Sequence, residues 1–65
     1  MPFIEVKLIE GRSPEQKEQL IEELSKTTSD VLNIRLEAVQ VQLVETAPAD
    51  WGIAGKSVAK RNTEK

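Results

Sequence analysis

Residues 3–16 read FIEVKLIEGRSPEQ, and this stretch holds a strand, a break and a helix start in succession. Ile4, Val6 and Leu8 alternate with Glu5 and Lys7, the period-two pattern of a half-buried strand over residues 3–9. Glu10-Gly11-Arg12 interrupts the alternation. Ser13-Pro14-Glu15-Gln16 then supplies the start signals of a helix. Ser13 can cap the first turn, Pro14 suits the first helical position because its missing N–H is not needed there, and Gln16 can close a capping box.

Downstream, Leu20, Ile21, Leu24, Val31 and Leu32 recur at helical spacing and predict one buried stripe on a helix of about five turns. Glu22 and Lys26 have the spacing of a favourable pair on its wet face. Asn33 suits the left-handed turn that ends such a helix. A second alternating run, Val39-Gln40-Val41-Gln42-Leu43-Val44, puts Val39, Val41 and Leu43 on one face. Strand, helix and strand in this order predict a βαβ unit with parallel strands and a right-handed crossover. Thr46 to Asp50 reads as a turn-rich connector. Trp51 to Val58 reads as a short hairpin turning at Gly55-Lys56, and Lys60 to Lys65 as a polar, frayed tail.

The fold class is therefore α+β: a βαβ protomer with two parallel strands, one long helix and a short C-terminal hairpin, in a single domain over residues 1–65. A chain of 65 residues is marginal alone, and small domains gain stability from disulfides, metals or oligomerisation. There is no Cys and no His, so neither a disulfide nor a structural zinc site is expected. Oligomerisation remains. The sheet face carrying Phe3, Glu5, Lys7, Gln40, Gln42 and Val44 needs a cover that one helix cannot give. Pairing of protomers edge to edge, then sheet against sheet, provides it.

A net charge of −2 with both signs interspersed argues against nucleic acid as a partner. Phe3 and Trp51 are too few aromatics for a base-stacking surface. No apolar run approaches membrane-spanning length, and Met1-Pro2 runs straight into the alternating segment without a signal-peptide pattern. The expected location is the cytoplasm.

With His, Cys and Tyr absent, every ionisable side chain ordinarily titrates far from neutrality. Removal of Met1, which a small penultimate residue such as Pro permits, would leave Pro2 as a free secondary amine. An α-amino group titrates at about 7.7–8.0, so Pro2 is the group suited to trade protons at neutral pH. Arg12 lies at the C-terminal end of the first strand, where open α/β units tend to bind ligands. A guanidinium there can clamp a carboxylate in two-point fashion, although a solvated loop arginine fits the same position. Trp51 can wall a pocket or serve as an apolar anchor.

Taken in order, these pieces resemble the 4-oxalocrotonate tautomerase family. They are Met1-Pro2 leading an apolar strand, Glu10-Gly11-Arg12-Ser13 before the helix, Glu15-Gln16-Lys17 in its first turn, and Gly52-Ile53-Ala54-Gly55 near the C-terminus. The resemblance runs nearly end to end. It implies a tautomerase-like protomer assembled as a homohexamer, a trimer of dimers, with a hetero-oligomer as an alternative. It also implies cofactor-free, metal-free proton transfer on the enol or dienol of a 2-oxo acid, such as 2-hydroxymuconate.

On that resemblance Pro2 is the catalytic base and Arg12, from a neighbouring subunit, binds the distal carboxylate. Trp51 stands where the family commonly has a Phe lining the pocket, and its bulk would lower the amine pKa by desolvation. Backbone groups of Leu8 and Ile53 would border the substrate. One position departs from the family pattern. Its best-known members carry an Arg in the second strand where this chain has Gln40. Gln40 can donate a hydrogen bond but brings no charge, which predicts weak activity on dicarboxylates. Arg35, just before the strand, is the candidate that could replace the missing charge. The other readings are a monocarboxylate enol substrate, a hydratase-type reaction and a non-catalytic subunit that pairs with a different chain.

Overall fold

The computed structural model describes residues 1–63. Strand β1 (Phe3–Ile9) leads through a loop into helix α1 (Pro14–Leu32). A 3-10 turn (Leu36–Ala38) then enters strand β2 (Gln40–Thr46). A second 3-10 turn (Pro48–Asp50) precedes the short strands β3 (Gly52–Ile53) and β4 (Lys56–Ser57), and helix α2 (Val58–Thr63) follows directly. β1 and β2 pair in parallel, with Phe3 opposite Gln40, Val6 opposite Leu43 and Ile9 opposite Thr46. This is the expected βαβ protomer with a C-terminal hairpin.

Local chemistry accounts for the boundaries of α1. The Ser13 Oγ accepts the Gln16 N–H at 3.1 Å, and the Gln16 side chain accepts the Ser13 N–H at 3.2 Å, so both halves of the capping box form. Gly11 (φ 132°) makes the sharp change of direction between β1 and α1. At the other end Asn33 takes the left-handed conformation (φ 56°). The Ser29 carbonyl accepts from the N–H groups of both Asn33 and Ile34.

Five expectations need correction. The hairpin turns at Ala54-Gly55, both at positive φ (54° and 84°), not at Gly55-Lys56; Lys56 already pairs with Ile53. Paired positive φ values are what a type I′ turn requires, because its twist matches that of the flanking strands. The tail is not frayed from Lys60, since α2 continues to Thr63; the last two residues, 64 and 65, lie outside the described residues. Lys26 pairs with Glu23 at 3.6 Å, one turn back, rather than with Glu22. β2 begins at Gln40, because the N–H of Val39 still closes the 3-10 turn on Leu36, and it runs on through Thr46.

The buried stripe also stops short. Leu20, Ile21, Leu24 and Thr28 are half-buried, but Val31 is 76% and Leu32 53% exposed. Length explains this. The 19 residues of α1 span roughly 28 Å at about 1.5 Å each. The 7 residues of β1 cover roughly 23 Å at about 3.3 Å each. The last helical turn therefore overhangs the sheet.

Among the described residues no side chain is fully buried. Ile4, Val6, Leu8, Val41 and Leu43 face α1 and are only half-covered. On the opposite face Phe3, Glu5, Lys7, Gln40 and Gln42 are exposed, while Val44 is partly covered. The molecule is elongated, 46 × 24 × 15 Å; β4 pairs with β3, and α2 packs on the Pro48–Asp50 turn and on β4. A protomer with this surface leaves its apolar side chains without full cover.

Candidate active site

Pro2 stands at the head of the parallel pair. Its carbonyl accepts the Gln40 N–H at 3.2 Å, one step beyond the register pair Phe3 and Gln40. Pro2 itself is half-buried, whereas Met1 is 88% exposed. Gln40 is exposed beside it. Arg35, also exposed, caps the 3-10 turn that delivers the chain to Gln40; its carbonyl accepts the Ala38 N–H at 3.0 Å. Pro2 and Gln40 thus meet at the end of the sheet where both strands begin, and Arg35 lies at the start of the turn that leads there.

The other candidates belong to the opposite end. Leu8 lies opposite Glu45, near the close of β1, and is half-buried toward α1. Arg12 follows β1, and its Nη1 donates to the Ile9 carbonyl at 2.9 Å. That bond fixes one edge of the guanidinium and leaves its remaining donors for an anion. Trp51 and Ile53 come after Thr46, the register partner of Ile9. Trp51 is half-buried and its carbonyl accepts the Val58 N–H at 2.7 Å, tying the two sides of the hairpin together. Ile53 is 46% exposed at the hairpin tip. A Lys17 Nζ–Glu45 Oε1 ion pair of 2.9 Å braces the start of α1 against the end of β2. The pairing of Lys17 with Glu45 carried no mark in the sequence, because their meeting depends on the helix crossing the sheet.

One protomer therefore does not bring Pro2 and Arg12 together. Seven steps of extended chain lead from Pro2 to Ile9, to which Arg12 is bound, a span of roughly 23 Å. Concave surface on the protomer lies elsewhere, along the outer side of α1 at Pro14, Glu15, Glu18, Gln19 and Glu22, and at Gln16, Leu20 and Glu23. No candidate residue lines either concavity. Chemistry that uses both Pro2 and Arg12 needs two chains, the head of one sheet meeting the β1–α1 loop of another.

Among the described residues no group of three or more acidic, His or Cys side chains is placed to hold a metal ion. No helix among them is long and apolar enough to cross a membrane.

Residues 2–61 match the model of a family of tautomerase enzymes. The chain is 42% identical over 60 residues to a 2-hydroxymuconate tautomerase of Pseudomonas putida, covering 92% of this chain and 95% of that one. Among solved structures it is similar to TomN, a 4-oxalocrotonate tautomerase homologue of tomaymycin biosynthesis. There the TM-score is 0.93 and the identity 42%, over 95% of each chain. It is also similar to a chain of a heterohexameric 4-oxalocrotonate tautomerase from Chloroflexus aurantiacus. That match has a TM-score of 0.88 and 32% identity over 92% of this chain and 97% of the other.

Proposed function

The chain belongs to the tautomerase family, and on that premise we propose that it is a cofactor-free keto–enol tautomerase of 2-oxo acids. The substrate class is an enol or dienol carboxylate such as 2-hydroxymuconate. The observation that carries this reading is the setting of Pro2. Its carbonyl is held by Gln40 while Met1 extends into solvent. Removal of Met1 would convert a peptide nitrogen into an amine whose position the sheet already holds.

The neutral amine takes the proton of the enol hydroxyl, and the electron pair of that O–H bond becomes part of the new C=O. The conjugated system shifts, and a carbon further along takes the proton from the Pro2 ammonium. Atoms and charge balance without any cofactor. A base is effective when its pKa lies near the working pH, and an α-amino group meets that condition at about 7.7–8.0. Arg12 of a neighbouring subunit holds the distal carboxylate and draws electron density along the diene. Trp51 walls the site against water, and backbone groups of Leu8 and Ile53 border the substrate. Homohexameric assembly, as a trimer of dimers, supplies the second chain that the Pro2–Arg12 separation calls for.

The presence of neutral Gln40 beside Pro2 favours a second reading, in which a monocarboxylate enol is the substrate or a different chain completes the site. The heterohexameric relative is a precedent for the latter. The test is an assay of Met-free protein, its state verified by intact mass, against a panel of 2-hydroxydienoates and enolpyruvates. Turnover that is lost in Pro2→Ala is the expected result. Turnover only after mixing with a second tautomerase chain supports the hetero-oligomer, and none in either setting defeats the assignment.

A further inference from the structure

In the site proposed above, Arg12 reaches a substrate that another subunit holds at Pro2. The place of its guanidinium is then set by its own chain, and the loop that carries it is nearly bare. Glu10, Gly11 and Arg12 are all exposed, and nothing lies within 4 Å of a Cβ added at Gly11. Before the loop, the Glu10 N–H is fastened to the Thr46 carbonyl at 3.0 Å. After it, Ser13 is locked into the capping box with Gln16. Gly11 and Arg12 span the gap between sheet and helix, and Gly11 (φ 132°) has the fewest backbone restraints of any residue type. The Nη1 bond to Ile9 fixes one corner of the guanidinium. The rest depends on where α1 starts relative to the end of the sheet.

A single side-chain contact sets that relation. From Pro14 through Gln19 every residue except Lys17 is exposed, and the half-buried apolar stripe begins only at Leu20. Lys17 stands one helical turn after Ser13, whose carbonyl accepts its N–H at 3.1 Å. Its Nζ meets Glu45 Oε1 at 2.9 Å, with the two side chains 30% and 31% exposed. Glu45 is the register partner of Leu8, next to the Ile9–Thr46 pair where Arg12 is anchored. Among the described residues no other ion pair or side-chain hydrogen bond joins α1 to β1 or β2.

We infer that the Lys17–Glu45 pair is a latch that positions Arg12 for the substrate carboxylate. Lys17 and Glu45 touch no substrate; they are positioning residues that act through the loop between β1 and α1. With the latch closed, the helix start is held against the end of β2 and the guanidinium is offered in one place. With it open, the start of α1 pivots about Gly11, and donors aimed at two carboxylate oxygens spread over several positions. A shift of about 1 Å is costly for such a contact. This role rests on the Pro2-centred site proposed above, with Arg12 as its anion contact.

Glu45→Leu separates a latch from a mere charge. Removing a carboxylate from near an anion site should by itself strengthen anion binding, whereas opening a latch should weaken it. The assembled, Met-free protein is titrated calorimetrically with trans,trans-muconate, which has no enol hydroxyl and is not turned over. Glu45→Leu should weaken muconate about three- to tenfold, part of the value of one charge-assisted contact, at unchanged oligomeric mass. Lys17→Met should do the same. Exchanging the charges, Lys17→Glu with Glu45→Lys, should restore affinity to within about twofold of wild type. In an Arg12→Ala background, where no guanidinium is left to place, Glu45→Leu should change muconate binding by less than about twofold. Unchanged or tighter binding in Glu45→Leu overturns the latch, as does an equal loss in the Arg12→Ala background. If Arg12→Ala alone leaves binding unchanged, the anion contact falls and the latch with it. Pro2→Ala should keep the dependence on Glu45 while losing turnover. If it stays active instead, the base assignment falls and the latch stands on its own.

Discussion

The N–H of Gln40 donates to the carbonyl of Pro2 at 3.2 Å, so the parallel pairing of β1 and β2 extends one residue beyond Phe3. This bond ties the proposed catalytic residue to the first residue of β2. The carbonyl side of Pro2 is fixed by the sheet, and Met1, on its nitrogen side, is 88% exposed. The same link sets the neutral amide of Gln40 beside Pro2.

Retaining Met1 should abolish catalysis by Pro2, because a peptide nitrogen has no basic lone pair to offer. Protein with Met1 retained should lose about two to four decades of turnover, the usual contribution of a positioned base. Met-free protein should show kcat/KM rising with pH as one group deprotonates, since only the neutral amine accepts a proton. The pH profile and an intact-mass spectrum of the same sample check both statements. Equal activity with and without Met1 would remove Pro2 from the mechanism.

Assembly should be inseparable from stability. No described side chain is fully buried, and Phe3 is 59% exposed on the sheet face away from α1. Light scattering should give a mass several times that of the chain, and the thermal midpoint should rise with protein concentration, as for any fold stabilised by association. Phe3→Glu puts a charge into the face that a partner would cover, so it should lower the midpoint and weaken assembly. A compact monomer at micromolar concentration, with a midpoint independent of concentration, contradicts this account.

The βαβ core was legible because its signals are local. Alternation marks β1, and the Ser13–Gln16 capping box and Asn33 mark the limits of α1 within a turn of where they act. Val31 and Leu32 misled because periodicity reports which way a residue points, not whether the sheet still lies beneath it. The hairpin turn was displaced by one residue because Gly55 has no strict preference between the two central positions, and Ala54 gives no hint of positive φ. The division of the site was legible only in outline. Pro2 and Arg12 can be singled out by chemistry, but their separation follows from strand length, and the Lys17–Glu45 pair from the helix crossing.

The Ala54-Gly55 turn should be improvable. Ala54 holds φ 54° and Gly55 φ 84°. A left-handed conformation costs an ordinary L-residue roughly 1–2 kcal/mol, while Asn tolerates it better. Ala54→Asn creates the Asn-Gly pair favoured in type I′ turns and should stabilise the hairpin by a few tenths to about 1 kcal/mol. Gly55→Ala should do the reverse by about 1–2 kcal/mol. Nothing lies within 4 Å of a Cβ added there, so its whole cost is backbone conformation. Amide hydrogen exchange at Ile53 and Lys56 reads both effects. Slower exchange in Gly55→Ala would show that the turn is of another kind.

Subunit mixing offers the sharpest test of how the site is divided. Within a protomer, Pro2 and the Ile9-bound Arg12 are separated by roughly 23 Å of strand, so a working site must draw them from different chains. Pro2→Ala and Arg12→Ala should each be nearly inactive alone. Unfolded together in equal amounts and refolded, they should recover activity. In a closed homo-oligomer with random mixing, about one site in four combines an intact Pro2 from one chain with an intact Arg12 from the next. Both residues acting from the same chain would give no such site, since each chain carries one lesion. Recovery near that fraction supports a shared site. Failure to recover, with mixed oligomers verified by native mass spectrometry, would require Arg12 to reach Pro2 of its own chain, which the length of β1 forbids, or to play no part in binding the substrate.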